Sequence, residues 1–501
     1  MSEAPMIRCG GVERTHDQLA QRAARVCTGL LTLGVSAGDN VALVLANSVE
    51  FLEISAGISA AGANPVPVNW HWKSEEIGYL LENCSSRVVL VHSDFISTVA
   101  AAAGPGLELI EVASDVAPLS GICREYEAWL AGSKPDPDAG EATGGLGTIY
   151  TSGTTGKPKG IVRESVSAES LMAMATVMTT RMGAVPGART LIPAPLYHTA
   201  PNTMGVFAVR LGLDTTILPR FDPEQFLAAV QRHRIEHVQM VPTMFTRLLR
   251  LPQEVRNSYD LSSLRMIVHA AAPCPPHIKE QMIDWLGPIV SEYYGGSETG
   301  PIVWCTSEQW LAHRGTVGVP LDGAAVRIVD AAGREARDGE VGVVYVKPAD
   351  YWPGFTYLGD AEKRRAMELD GFVTVGDMGC VDEDGYLYLT DRVSDMVISG
   401  GVNIYPAETE SVLSELAGVR DCAVFGIPDE EYGETLAAHI ETDDGCGLTE
   451  EDIRTFLRSR LAGFKVPKLI VFDDALPREE SGKLFKRRIR DTYWRDSRAK
   501  I

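Results

Sequence analysis

The sequence lacks the features that mark nucleic-acid-binding and membrane-spanning proteins. Lysine and arginine total 46 against 67 aspartates and glutamates, which gives a formal net charge of -21. This balance argues against nonspecific binding to nucleic acid or to an anionic membrane, because both need a broad basic surface. No uninterrupted apolar run approaches the ~20 residues of a spanning helix, and the N-terminus has no basic and apolar signal regions. We therefore expect no transmembrane segment.

The cysteine pattern also argues against a disulfide-stabilised protein. Nine are scattered between Cys9 and Cys446 without a C-x-x-C pair. An odd number argues against a complete disulfide framework, so a reducing cytoplasm is the simplest compartment.

The length and the alternation of patterns indicate the fold class. A chain of 501 residues is too long for one compact core, so two or more domains are expected. Helical spacing over Thr15–Leu33 and Val49–Ala61 alternates with strand-like runs at Val41–Leu45 and Arg87–Val91. This alternation favours an α/β fold with parallel sheets covered by helices.

The stretch Tyr150–Gly160 is rich in groups that bind phosphate. It reads Tyr-Thr-Ser-Gly-Thr-Thr-Gly-Lys-Pro-Lys-Gly, so it offers flexible glycines, hydroxyl donors and two lysines. It is not the P-loop, because that spacing is absent and Pro158 follows Lys157. A flexible polar linker is the alternative, but it explains neither the strand-like residues before the loop nor the density of donors. We predict a polyphosphate-binding loop, with Lys157, Lys159 and Arg163 as local cations.

This loop resembles the signature loop of the adenylate-forming superfamily, which contains acyl-CoA synthetases, aryl-CoA ligases, amino-acid adenylation domains and luciferase. The resemblance covers nearly the whole chain, with several motifs in family order. It implies that ATP is bound in part by the loop residues Thr151, Ser152, Gly153, Thr154, Thr155, Gly156 and Lys159.

The segment Leu196–Pro201 resembles the family's aromatic-His motif. By itself a single histidine at a strand end is more often structural. The resemblance implies that His198 lines the carboxylate pocket and acts in catalysis. Amino-acid adenylation domains carry an aspartate at this position to bind the substrate ammonium, so an α-amino acid is not expected as the activated acid.

Two further segments resemble nucleotide-binding motifs. The Tyr-Gly-Gly-Ser-Glu of 294–298 resembles Y-G-x-T-E, which implies that Tyr294 and Gly295 lie near the adenine and Ser297 meets the α-phosphate. Glu298 would hold Mg²⁺, the ion that disperses charge on the phosphate oxygens, and so act in catalysis. The second segment matches the small-residue turn over which adenine lies, and comprises Ala271, Ala272 and Pro273. Before it, His269 and Ala270 stand where Ser and Gly are more common.

The C-terminal third carries the remaining motifs. Asp377 matches the aspartate that accepts both ribose hydroxyls, and Arg392 matches the arginine that reaches ribose and phosphate. Ser394 stands at the hinge position, where relatives commonly carry Asp or Lys. The Gly400–Gly401 turn resembles the element that forms the pantetheine channel during thiolation.

The resemblance implies a catalytic lysine and a two-domain architecture. Lys483, in a P-x-x-x-x-G-K motif, would bridge the carboxylate and the α-phosphate, although its basic neighbours also suit a surface lysine. The implied fold is a large multi-layer N-terminal domain with parallel sheets and a small β-barrel portion, residues 1–391. A smaller mobile α+β C-terminal domain, residues 392–501, follows it.

The implied reaction has two steps. A small-molecule carboxylic acid attacks the α-phosphate of ATP, and a second substrate then displaces AMP from the acyl-adenylate. The acceptor implied by the overall likeness to acyl-CoA synthetases is CoA, which makes this an AMP-forming acid-CoA ligase. Two alternatives remain: an amide ligase, similar to coronafacic-acid-ligase-like enzymes, which uses an amine or amino acid, and a nucleotide-binding protein without catalysis. The retained Glu298 and Lys483 argue against the last. The sequence leaves open the identity of the acid and the oligomeric state.

Overall fold

The computed structural model describes residues 4–114, 117–135, 147–151, 158–478 and 484–498, and for 496–498 it describes the backbone alone. In these ranges the helices are α1 (His16–Thr32), α2 (Val49–Ala60), α3 (Ser74–Asn83), α4 (Ile96–Ala102), α5 (Tyr126–Gly132), α6 (Ala168–Met182), α7 (Thr199–Leu211), α8 (Pro223–His233), α9 (Pro242–Leu249), α10 (Gln253–Arg256), α11 (Pro276–Leu286), α12 (Ser307–Ala312), α13 (Ala361–Ala366), α14 (Pro406–Leu413), α15 (Glu450–Arg458) and α16 (Lys486–Arg498).

The strands alternate with these helices through most of the chain. They are β1 (Met6–Cys9), β2 (Val12–Thr15), β3 (Asn40–Val44), β4 (Asn64–Pro67), β5 (Val88–His92), β6 (Glu108–Val112), β7 (Arg124–Glu125), β8 (Ile149–Thr151), β9 (Lys159–Arg163), β10 (Arg189–Ile192), β11 (Asp214–Ile217), β12 (His237–Met240), β13 (Met266–His269), β14 (Val290–Gly296), β15 (Gly300–Cys305), β16 (Val319–Pro320), β17 (Ala325–Val329), β18 (Gly342–Lys347), β19 (Phe355–Tyr357), β20 (Glu368–Leu369), β21 (Phe372–Val373), β22 (Asp377–Val381), β23 (Leu387–Arg392), β24 (Val397–Ser399), β25 (Val402–Ile404), β26 (Val419–Asp429), β27 (Gly433–Thr442) and β28 (Leu469–Phe472).

Two largely parallel sheets form the centre of the N-terminal part. Across the described residues the larger has nine strands in the order β16-β15-β14-β13-β12-β10-β11-β1-β2, with antiparallel pairs at both edges. The smaller has the order β4-β3-β5-β6-β7 and is parallel throughout. Strand β5 is buried along its whole length, as expected where helices cover both faces of a parallel sheet. The predicted α/β class is confirmed.

The main apolar core lies between these two sheets. It combines residues of β1, β10 and β11 with residues of β3, β5 and β6, and helices α1, α2 and α7 contribute the layer between them. Helix α1 begins at a capping box, in which Thr15 Oγ1 accepts from the Gln18 backbone and Gln18 Oε1 accepts from the Thr15 backbone.

Antiparallel sheets follow toward the C-terminus. In the described chain β19-β9-β8 form a three-stranded sheet, and β17, β18 and β20 to β23 form a six-stranded sheet where the sequence predicted the small barrel-like portion. Strands β24 to β28 form a separate five-stranded sheet with its own apolar core, packed with α14 and α15. This last unit is the predicted smaller α+β part. The predicted boundary between residues 391 and 392 lies at the end of β23 and stays a prediction.

In the described ranges, no helix is both long enough and apolar enough to cross a membrane.

Candidate active site

A cleft of about 2440 Å³ opens where the parallel strands of the larger sheet end. The segments that follow β10, β12 and β13 line it, and so do residues of the C-terminal part such as Glu410 and Lys486. Ligands of open α/β sheets bind in the crevice outside the carboxyl ends of the strands. The cleft is therefore the candidate active site.

The β14–β15 hairpin forms the polar wall of the cleft. An ideal Cβ on Gly295 would lie 1.9 Å from the carbonyl oxygen of Gly300, so only glycine fits at this close approach. The hairpin turn presents Ser297, whose Oγ lies 2.5 Å from Oγ1 of Thr199 at the start of α7. These contacts hold two hydroxyl groups side by side in the cleft.

Glu298 and Arg163 fix the same turn from its other side. The Tyr357 hydroxyl donates to Glu298 Oε1 at 2.9 Å. Arg163 Nη2 donates to the backbone oxygen of Ser297 at 2.6 Å, and burial lowers the pKa of Arg163 to about 10. Arg163 was predicted as a cation for an anionic substrate, whereas in the structure it contacts the backbone behind the cleft. Tyr357 was not singled out from the sequence, because nothing near it in the chain indicates that β19 pairs with β9.

Tyr294, Asp377 and Arg392 form a hydrogen-bonded group across two sheets. The Tyr294 hydroxyl donates to Asp377 Oδ2 at 2.8 Å, and Arg392 Nε donates to Oδ1 at 3.1 Å. Burial, together with the Asp377 carboxylate, raises the pKa of Tyr294, so this hydroxyl remains a donor. The two partners fix the carboxylate of Asp377 in one orientation in the cleft. The structure thus brings together three residues that the sequence predicted to bind the nucleotide.

Lys159 and Thr151 lie on paired strands on either side, in sequence, of the predicted phosphate loop. Thr151 pairs with Lys159 in the β8–β9 ladder, and both line the cleft. The Lys159 ammonium lies 5.7 Å from the ring centre of Tyr357, and its Nζ is buried without a hydrogen-bond partner in the described part of the chain. A buried ammonium without an acceptor suits a site for an anion.

His198 is the N-cap of α7 and lines the cleft. Its backbone N–H donates to the Pro195 oxygen at 3.1 Å, and its ring lies 4.3 Å from that of Tyr197. The proline-bounded turn after β10 positions the imidazole next to Thr199, whose hydroxyl contacts Ser297. The structure therefore places His198 beside the polar hairpin.

The turn predicted to carry adenine follows β13, and Ala271, Ala272 and Pro273 all line the cleft. Ala271 has φ of +74°, a left-handed conformation that costs a residue with a Cβ roughly 1–2 kcal/mol. Lys279 of α11 donates to Glu292 Oε2 of β14 at 2.6 Å in a buried ion pair.

An apolar chamber extends from the polar hairpin. Its walls are α6, α7, β15 and the segment before β19, and its apolar lining residues are Met174, Val177, Met178, Met182, Met204, Phe207, Trp304, Leu321 and Trp352. Three of the methionines recur every four residues along α6, so they share one helix face. That spacing is the sequence signal by which the chamber could have been found.

Comparison with known proteins agrees with this geometry. Residues 1–355 match the AMP-binding enzyme family, and residues 408–483 match its C-terminal domain. The chain belongs to the AMP-binding enzyme family.

Relatives of this AMP-binding enzyme span almost its whole length. It is 34% identical over 497 residues to a feruloyl-CoA synthase of Amycolatopsis, with 98% of this chain and 96% of the relative covered. ATP-bound MatB from Rhodopseudomonas palustris has a TM-score of 0.85 at 28% identity, with 98% and 97% covered. The amide bond synthetase McbA from Marinactinospora thermotolerans has a TM-score of 0.83 at 25% identity, with the same coverage. The predicted superfamily is confirmed, and so is the prediction of an AMP-forming acid-CoA ligase.

Some predicted site residues of this AMP-binding enzyme lie outside the described residues, namely Ser152, Gly153, Thr154, Thr155, Gly156, Lys157 and Lys483. Gly400 and Gly401 are described: they form the turn between β24 and β25, with φ of +57° and +83°. They do not belong to the lining of the cleft, so the structure does not bring them to the other predicted residues. At the predicted hinge, Arg490 of α16 donates to the Ser394 oxygen at 3.2 Å.

The described residues contain no group of three or more His, Cys, Asp or Glu side chains that could hold a metal ion. Mg²⁺ often binds through one or two carboxylates together with substrate phosphates rather than in an all-protein cage. Glu298, at the tip of the polar hairpin, fits that arrangement.

Proposed function

We propose that this enzyme activates an apolar monocarboxylic acid with ATP and transfers the acyl group to CoA. The observation that carries the proposal is the composition of the cleft. One end carries hydroxyl groups, the Lys159 ammonium, which is buried without a hydrogen-bond partner among the described residues, and the Tyr294–Asp377–Arg392 group. The other end is an apolar chamber. An anionic nucleotide suits the first end and the body of an organic acid the second.

In the first step, a carboxylate oxygen of the acid forms a bond to the α-phosphorus of ATP, and the bond to the β-phosphate bridging oxygen breaks. Pyrophosphate leaves with the electron pair, and no proton is needed. The Ser297 and Thr199 hydroxyls would donate to the α-phosphate, and Lys159 would offset the charge of the phosphates. Such donors lower the barrier when they are fixed before the reaction begins, and the contacts between Arg163 and Ser297 supply that rigidity.

Asp377 would accept both ribose hydroxyls, with the turn at Ala271–Pro273 against one face of the adenine and Tyr294 near it. Glu298 would hold Mg²⁺, which when bound would disperse charge on the phosphate oxygens. Lys483 would bridge the acid and the α-phosphate, as its motif implies.

In the second step, the CoA thiolate attacks the acyl carbon and AMP leaves. A rotation about Ser394 would bring the Gly400–Gly401 turn over the adenylate. The named feruloyl-CoA synthase favours CoA as the acceptor. The amide bond synthetase has nearly the same fold, so the fold alone does not choose between thiol and amine.

The test is a panel of carboxylic acids with ATP and Mg²⁺, scored for pyrophosphate release and then for AMP release with CoA or with amino acids. We expect pyrophosphate release with apolar acids and AMP release with CoA. Acids with a second charged group should react poorly, because the chamber-lining residues named above are apolar and would not neutralise it. AMP release with amines but never with CoA would replace the proposal by the amide-ligase alternative.

A further inference from the structure

Helix α13 brings into the cleft a lysine that belongs to none of the sequence motifs. The helix follows directly after β19 and begins at the N-cap Asp360, whose Oδ1 accepts from the Lys363 backbone N–H at 3.2 Å. In the next position, Arg364 Nε donates to the backbone oxygen of Phe355 in β19 at 3.1 Å, and its guanidinium lies 4.7 Å from the Phe355 ring centre. These contacts hold α13 against β19.

Lys363 lies beside Tyr357 in the wall of the cleft. Its Nζ is 5.2 Å from the centre of the Tyr357 ring, and both residues line the cleft. The Lys363 side chain is half-buried, so part of it faces the open space. Within the described ranges its ammonium makes no ion pair with a carboxylate. Its charge is therefore available to an anion in the cleft.

A second ammonium lies near the same ring. Lys159 Nζ is 5.7 Å from the Tyr357 ring centre and is buried, whereas Lys363 is half-buried. Like charges that share a neighbourhood disfavour each other, so an anion close by stabilises both. Lys363 is the cation of the two that a ligand in the cleft can contact directly, and Lys159 adds its charge through space.

The contacts of Tyr357 indicate which part of ATP Lys363 faces. The Tyr357 hydroxyl donates to Glu298 Oε1, whereas Ser297 contacts Thr199 of α7 on the other side of the hairpin turn. The Ser297 and Thr199 hydroxyls are the donors assigned above to the α-phosphate. Lys363 lies on the Glu298 side, next to β9, which follows the predicted phosphate loop. The phosphates beyond the α-phosphate are therefore the part of ATP that would lie nearest to it.

We propose that Lys363 binds the β- and γ-phosphates of ATP and holds the pyrophosphate that they form. This inference rests on the proposed function. The lysine ammonium is a compact charge with three rotatable donors on a flexible stem, so it can follow the phosphate oxygens as the bond to the α-phosphorus breaks. Negative charge on the departing pyrophosphate grows in that step, so a cation placed here stabilises the leaving group as well as the bound nucleotide.

The test measures the affinities of MgATP and AMP by calorimetry without any acid, because AMP lacks both phosphates. Lys363→Met keeps the length of the side chain and removes its charge. We expect MgATP to bind roughly 5- to 30-fold more weakly to this variant, the loss of one partly exposed charged hydrogen bond, and AMP to bind as it does to the wild type. In ATP–pyrophosphate exchange the KM for pyrophosphate should rise, whereas the KM for the acid should not.

Arg365→Met is the matched control. Arg365 lies two residues further along α13, is outside the lining of the cleft, and has its guanidinium 3.8 Å from Glu362. This variant removes the same charge from the same helix and should bind MgATP normally. Lys363→Gln should weaken MgATP selectively, as Lys363→Met does, so the inference stays testable if one variant misfolds.

Three outcomes would overturn the inference. They are an unchanged affinity for MgATP in folded Lys363→Met or Lys363→Gln, an equal loss of affinity for AMP, and an equal loss for MgATP in Arg365→Met. The binding measurements need no acid, so they are independent of the proposed reaction. Absence of pyrophosphate release with every acid would overturn the proposed function itself.

Discussion

Tyr294→Phe tests whether the group around Asp377 holds the ribose. The change removes a hydroxyl that donates 2.8 Å to Asp377 Oδ2 and leaves the ring in place. A hydrogen bond to a charged group contributes about 1.5–3 kcal/mol. Arg392 still holds the other oxygen at 3.1 Å, so the carboxylate keeps part of its orientation. We therefore expect a loss of about 1–2 kcal/mol in ATP binding, roughly a 5- to 30-fold rise in KM for ATP.

Pyrophosphate release at saturating acid is the assay, with ATP varied. The neighbouring Tyr293→Phe is the matched control. Tyr293 packs against Trp304 and Leu321 of the chamber rather than against Asp377. This variant should leave the KM for ATP unchanged. The penalty of Tyr294→Phe should shrink with 2′-deoxy-ATP, since one of the two hydroxyls that Asp377 would accept is already absent. An unchanged KM for ATP in Tyr294→Phe, or an equal penalty with both nucleotides, would refute the assignment of the ribose to Asp377.

Three further changes test other parts of the site. Ala271→Gly should stabilise the protein by about 0.5–1 kcal/mol in denaturant unfolding, because glycine adopts a φ of +74° without a Cβ penalty; a lower midpoint would contradict this. Lys279→Met should cost about 3–5 kcal/mol, since it deprives the buried Glu292 carboxylate of its ammonium partner and leaves His269 Nε2 3.5 Å from Glu292 Oε2. Adding Glu292→Gln should restore much of the loss; if the double variant is no more stable than the single one, the ion pair is not the cause. Lys483→Ala should slow acyl-adenylate formation by roughly 10²- to 10³-fold, yet the variant should still convert supplied acyl-adenylate to product. A normal rate of pyrophosphate release would show that the motif was assigned to the wrong residue.

The periodicity of apolar residues predicted most of the helices and strands near the site, but it did not predict where all of them end. The residue pattern over Ser165–Met178 predicts a helix, whereas α6 runs from Ala168 to Met182 and ends where Gly183 adopts φ of +66°. A glycine in the left-handed conformation commonly terminates a helix, so α6 ends at Gly183 rather than where the apolar periodicity weakens. The run Leu191–Pro195 predicts a strand, whereas β10 ends at Ile192. Pro193 and Pro195 have no N–H to donate to the ladder, so pairing stops before them.

The sequence by itself determined the kinds of chemical groups and their order along the chain. The predicted phosphate loop, the predicted motif with Ser297 and Glu298, and the predicted ribose aspartate Asp377 were each recognised from a few neighbouring residues. Local composition is sufficient for such features, because each motif needs only its own few residues to be recognised.

The tertiary structure alone decided which distant residues meet and which atoms lose contact with water. Tyr294 and Asp377 are 83 residues apart and bond only because β14 and β22 come together at the cleft. Lys279 resembles any surface lysine in the sequence, yet it is fully buried against Glu292. Burial and pairing of this kind depend on the whole fold, so no local pattern of residues encodes them.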